Sequence, residues 1–170
     1  MRILAAVVMA LFAGTAMAQD HPHKHAPYAG MQTGAVKALT EQQIADLRAG
    51  RGMGLALPAE LNGYPGPLHV LELADGLSLD ADQRRRIQHL YETMKAEAVA
   101  VGERLIDAEA TLDLAFRDRS ITPDRLAELT AHLGRLQGEL RGVHLKYHLT
   151  TAALLSAEQS KRYAELRGYR

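Results

Sequence analysis

The chain has 170 residues, with 20 Lys and Arg against 20 Asp and Glu, no Cys, no Trp and two Phe. Zero formal charge leaves no electrostatic footprint for nucleic acid or an anionic membrane surface. The lack of Cys excludes disulfides and thiolate metal sites, and a core this poor in aromatics must be built from Leu, Ala, Ile, Val and Met, which favours helices over a β-sandwich.

The first residues, MRILAAVVMALFAGTAMA, pair a basic Arg2 with an apolar run from Ile3 to Ala13 and a small-x-small Ala16-Met17-Ala18 end. This pattern predicts a cleavable secretory signal over residues 1–18 and a periplasmic protein. The apolar run is too short to span a bilayer, and no later stretch approaches the length of a membrane helix.

Cleavage would leave Gln19-Asp20-His21 at the amino terminus, opening a His-containing tail over residues 19–38. A histidine third from a free amine can enclose Cu(II) or Ni(II) in a square plane, which makes His21 a candidate ligand. Cyclisation of Gln19 would remove that amine.

Residues 39–66 read as a short helix and a Gly/Pro-rich linker. Thr40 and Gln43 form a capping box, the helix runs to about Ala49, and the glycines of GRGMG follow as a plain linker. No strand precedes them and no GK[ST] follows, so they are not a phosphate cradle. Residues 67–170 form the main domain. A short helix, LHVLELAD, stops at Gly76, and Leu79-Asp80-Ala81-Asp82-Gln83 opens a long one.

The apolar positions of that helix, Ile87, Tyr91, Met94, Ala98, Val101, Leu105, Ala108 and Leu112, alternate steps of four and three. Thr122 and Pro123 start a second long helix with the seam Leu126, Leu129, Leu133, Leu136, Leu140, Val143, Tyr147, Thr150 and Leu154. The predicted fold is all-α: a long antiparallel helical hairpin, residues 81–117 against 123–154, with short flanking helices. Each arm is roughly 45–55 Å long. Two such arms leave their flanks uncovered, so the short helices or a second chain must cover them, and a homodimer is expected. A last capping box, Leu155-Ser156-Ala157-Glu158-Gln159, opens a helix that finishes in LRGYR.

Three Leu-[Thr/Ser/Asp]-x-x-Gln segments at helix starts, in an exported helical chain of this size, resemble the periplasmic LTxxQ-motif family. It includes stress chaperones of the Spy/CpxP type and heavy-metal resistance sensors of the CnrX type. The resemblance spans about residues 67–169, and its best motifs are LDADQ and LSAEQ. It implies a hooked helical hairpin that dimerises, with either a cradle for unfolded periplasmic clients or a histidine site for Ni, Co, Cu or Zn. It also implies a possible membrane signalling partner. By position it carries the sensor ligands onto His69, Glu92 and the pair His144 and His148. The second His of the sensors' first helix falls here on Leu73.

Counting across the hairpin independently puts His148 level with Glu92 and His144 beside Glu97, with His89 one turn from Glu92 and His69 folding back toward them. Nitrogen and oxygen donors without thiolate suit a transition metal ion (Ni, Cu, Co or Zn). The competing reading puts both imidazoles on a solvated face, and either way they are expected to be partly exposed. Gly134, Gly138 and Gly142 lie every four residues on the face away from the Leu seam, either a ridge for close helix approach or a solvated surface. No nucleophile constellation occurs, and His69-x-x-Glu72 and His89-x-x-Glu92 reverse the order a di-metal oxidase needs, so the chain is not expected to be an enzyme. The function expected is a transition-metal-binding sensor or buffer in a heavy-metal or envelope stress response. A metal-independent chaperone is the alternative.

Overall fold

The computed structural model describes residue 28 and residues 30–169, which form α1 (Glu41–Arg48), α2 (Leu57–Glu60), α3 (Pro67–Glu72), α4 (Ala81–Arg117), α5 (Pro123–Ala152) and α6 (Ala157–Leu166). No strand occurs among the described residues, and none of their helices is long and apolar enough to cross a membrane. The fold is all-α, and its spine is the expected hairpin of α4 and α5.

Local chemistry sets most helix starts. The side chains of Thr40, Asp80 and Ser156 accept the backbone N–H of Gln43, Gln83 and Gln159, and each glutamine reaches back to its cap residue. Thr122 accepts the N–H of Arg125 in the same way. The segment read as a linker differs from expectation, because Leu57–Glu60 makes a turn of helix with a proline in its first turn.

Ala98, Val101 and Leu105 of α4 meet Leu133, Leu136 and Leu140 of α5, and Val36 and Leu47 close this core from one flank. Each fully buried Leu contributes about 1.5–3 kcal/mol. The flank is closed by α1, which rests directly on Gly102. At the base of the hairpin a second core joins Val70, Ala74, Leu77, Leu79 and Ile87 to Tyr163 of α6. The short helices therefore cover flanks that the two arms leave open. Gly134, Gly138 and Gly142 have open space where a Cβ would stand.

Two of the glutamines do more than cap. Gln83 donates to Gln159 Oε1 at 2.9 Å and Gln159 donates back to Gln83 Oε1 at 3.0 Å. They also reach the carbonyls of Leu154 and Leu77. The second and third capping boxes are thus locked face to face, tying the start of α4 to the start of α6.

Candidate functional site

His144 and His148 lie one turn apart on α5 and are buried, at 3% and 8% exposure, against the expectation of partial exposure. The reason is the segment before α3. Its glycines and α2 fold over the base of α5 as a roof, so GRGMG is not a plain linker. Beneath that roof is a cavity of about 370 Å³ lined by both imidazoles, His69, Glu60, Tyr91 and Met94, with Met53 and Gly50, Gly52, Gly54 and Gly66 in its wall. Met53 takes a left-handed backbone, φ 43°, a strained conformation for a residue with a side chain. Gly66 is obligatory for a different reason: a Cβ there would stand 2.7 Å from His148 Nε2. Without one, the ring packs directly against the Gly66 backbone.

The two rings are held differently. His148 Nδ1 donates to the Tyr64 carbonyl at 2.7 Å, which assigns the proton to Nδ1 and leaves the Nε2 lone pair free. His144 Nε2 is buried and has no hydrogen-bond partner, and its Nδ1 faces Gly52. Buried polar atoms are nearly always paired, so an orphaned imidazole nitrogen calls for an explanation. Burial, and secondly the neighbouring His148, holds the His144 pKa below the usual imidazole value. The ring is therefore mostly neutral in the folded chain at pH 7, with a lone pair on one of its two nitrogens.

The shift has a consequence for stability. A histidine whose folded pKa is depressed binds its proton more readily when unfolded. The protonation-linked destabilisation by His144 should be absent above pH about 6.5 and grow as pH falls from there through the folded value. Chemical unfolding of the metal-free protein at pH 7.5 and 5.5 should show this destabilisation, and His144→Leu should make the curve flatter.

Behind His148 stands Glu60, which no sequence pattern singled out. It is buried at 6% exposure, its Oε1 accepts the hydroxyls of Tyr163 and Tyr169, and its Oε2 accepts the Gly66 N–H at 3.2 Å. Oε2 also lies 3.7 Å from His148 Nδ1. Burial, and then the bond to Glu60, raises the Tyr163 pKa far above the usual phenol value, so the hydroxyl stays a donor. A lone Glu in the apolar run LALPAEL was the one available signal.

The other expected ligands are not brought together. Glu92 is exposed and accepts from Gln88 at 2.8 Å, and His89 is exposed. Glu97 receives Lys146 Nζ at 2.7 Å and the Tyr147 hydroxyl at 2.9 Å. With Arg104 on Glu139, these pairs put the register almost one helical turn (about 5.4 Å) away from simple counting. Side chains on each arm lean toward their own N-terminus, which produces that offset. His69 does reach the cavity wall, but its Nδ1 pairs with Glu72 at 2.9 Å. His21 lies outside the described residues. Among the described residues no three His, Asp or Glu side chains stand close enough to hold an ion as they are.

No protein-family model, curated protein or solved structure matches the chain.

Proposed function

We propose that this is an exported transition-metal-binding protein, a sensor or buffer, that captures one ion in the cavity beneath the 49–66 roof. The observation that carries the reading is the pair of buried imidazoles: His144 with an unpartnered buried nitrogen, and His148 with Nδ1 fixed by a carbonyl. Histidine ligands are typically held in this way, with the second ring nitrogen donating to a backbone carbonyl or carboxylate. The two rings lie one turn apart, about 5–6 Å at Cβ, within chelating reach of one ion. Met94 offers a thioether in the same cavity, and His69 could join by rotating away from Glu72. Imidazole and thioether donors suit Cu, Ni, Co or Zn rather than Mg or Ca.

Isothermal titration with Ni(II), Co(II), Cu(II) and Zn(II) tests the reading, using chains that start at residue 19 and at residue 30. The shorter chain should bind one ion, and His144→Ala with His148→Ala should weaken that binding about 100-fold or more. No binding of any of the four ions to the shorter chain would sink it.

A second reading, a client-holding chaperone, has its own support. Leu57, Leu61 and Tyr64 are exposed on the roof, Leu68 on α3 just after it, and Leu114, Phe116 and Leu126 near the turn of the hairpin. Suppression of client aggregation by the metal-free protein, undiminished in the double alanine variant, would favour it.

A further inference from the structure

We propose that Glu60 transmits occupancy of the imidazole cavity to the C-terminal helix, loosening the hold of the protein on residues 163–169 when an ion is bound. The inference rests on the metal reading above and deepens it into a mechanism of response.

One carboxylate stands between the site and the end of the chain. Its Oε2 lies 3.7 Å from His148 Nδ1, and its Oε1 accepts from Tyr163 and Tyr169, with Arg167 Nε 3.6 Å away. All of this happens at 6% exposure, where water screens little. In the metal-free protein the His148 Nδ1–H is given to the Tyr64 carbonyl, and Glu60 is turned to the tyrosines. An ion on Nε2 withdraws electron density from the ring and makes Nδ1–H a charge-assisted donor. A carboxylate already within 4 Å is then drawn toward it, as the carboxylate–histidine–metal arrangement favours. That movement pulls Oε1 away from the tyrosine hydroxyls. The start of α6 stays anchored, because Gln159 is locked to Gln83. The loosening is confined to the last turn and the tail that follows.

Coupling of this kind is reciprocal. If an ion weakens the tyrosine hold on Glu60, then removing that hold must strengthen ion binding. A merely structural Tyr163 makes the opposite prediction, since loss of its bond would loosen the roof and weaken the site.

The test uses the full mature chain carrying His21→Ala, which removes the candidate ligand of the tail, and whichever of Ni(II), Co(II), Cu(II) and Zn(II) binds it most tightly. On saturation, amide exchange should accelerate in residues 163–169 and slow in residues 144–148. The variant Tyr163→Phe with Tyr169→Phe should bind the ion several-fold more tightly, within the ~5–150-fold range of such couplings, and Tyr169→Phe alone should move affinity the same way. Unchanged or slower exchange of residues 163–169 in the ion-bound parent chain overturns the inference, as does unchanged or weaker binding by the phenylalanine variants. Absence of any binding by the cavity of the parent chain overturns the metal reading itself. Binding with an unmoved C-terminus overturns the coupling alone.

Discussion

Replacing His144 by leucine should stabilise the metal-free protein by about 1–2 kcal/mol and weaken metal binding about 100-fold or more. The ring is 3% exposed, and its Nε2 has no partner, so the folded state bears the cost of taking that nitrogen out of water. Leucine has similar bulk, keeps the contact with Gly52, and carries no polar atom. The expected gain and the expected loss come from one atom: a nitrogen that is a liability without an ion and a ligand with one. Trade-offs of this form mark residues kept for function rather than for folding. Denaturant melts in the presence of a chelator give the first number and isothermal titration the second. A leucine variant less stable than the wild type at pH 7.5 would mean that His144 has a structural partner, and the argument for a ligand would lose its basis.

The second large effect should come from Gly102→Val. A Cβ at this position would stand 2.8 Å from the Leu47 carbonyl oxygen and 3.2 Å from its carbonyl carbon. Both are backbone atoms, so no rotamer change relieves the clash and α1 must lift as a body. That exposes Leu47, now at 3%, and breaks the closure of the core by Val36. A loss of about 2–4 kcal/mol is expected. The site should suffer too, because α1 runs directly into the glycine loop that roofs the imidazoles. Amides of residues 41–50 should exchange faster and metal affinity should fall, although every candidate ligand is intact. Gly102→Ala brings the same first atom but gains about 1 kcal/mol of helix propensity, so its net cost should be smaller. A valine variant within about 0.5 kcal/mol of wild type would show that α1 is not seated as described.

Much of this architecture could be read before folding was considered. The starts of α1, α4, α5 and α6 depend on Thr40, Asp80, Thr122 and Ser156, each bonding a backbone N–H three residues on. Such signals are complete within one turn of chain. The hairpin was equally legible, because a three-four alternation of Leu over α5 and its match on α4 leave one favourable way to bury both stripes. The same locality explains why His144 and His148 could be named from their spacing while their burial could not. Burial depends on a roof drawn from residues 49–66, whose glycines and prolines carry no periodicity to say where they go.

What only the tertiary structure decided are the contacts between residues far apart in the chain. Glu60 meets Tyr163 and Tyr169 across more than 100 residues, and Gln83 meets Gln159 across 76. Each of these residues has an ordinary local role, a helix end, an aromatic core position or a cap, that gives no hint of its partner. The choice of Glu97 over Glu92 opposite α5 was hidden for a geometric reason, since the lean of side chains shifts the register by most of a turn. Short-range hydrogen bonds and hydrophobic periodicity are written in neighbouring residues and survive reading in one dimension. A buried carboxylate finds its donors only after the cores have brought α2 and α6 together, because desolvation then makes any unpaired arrangement costly.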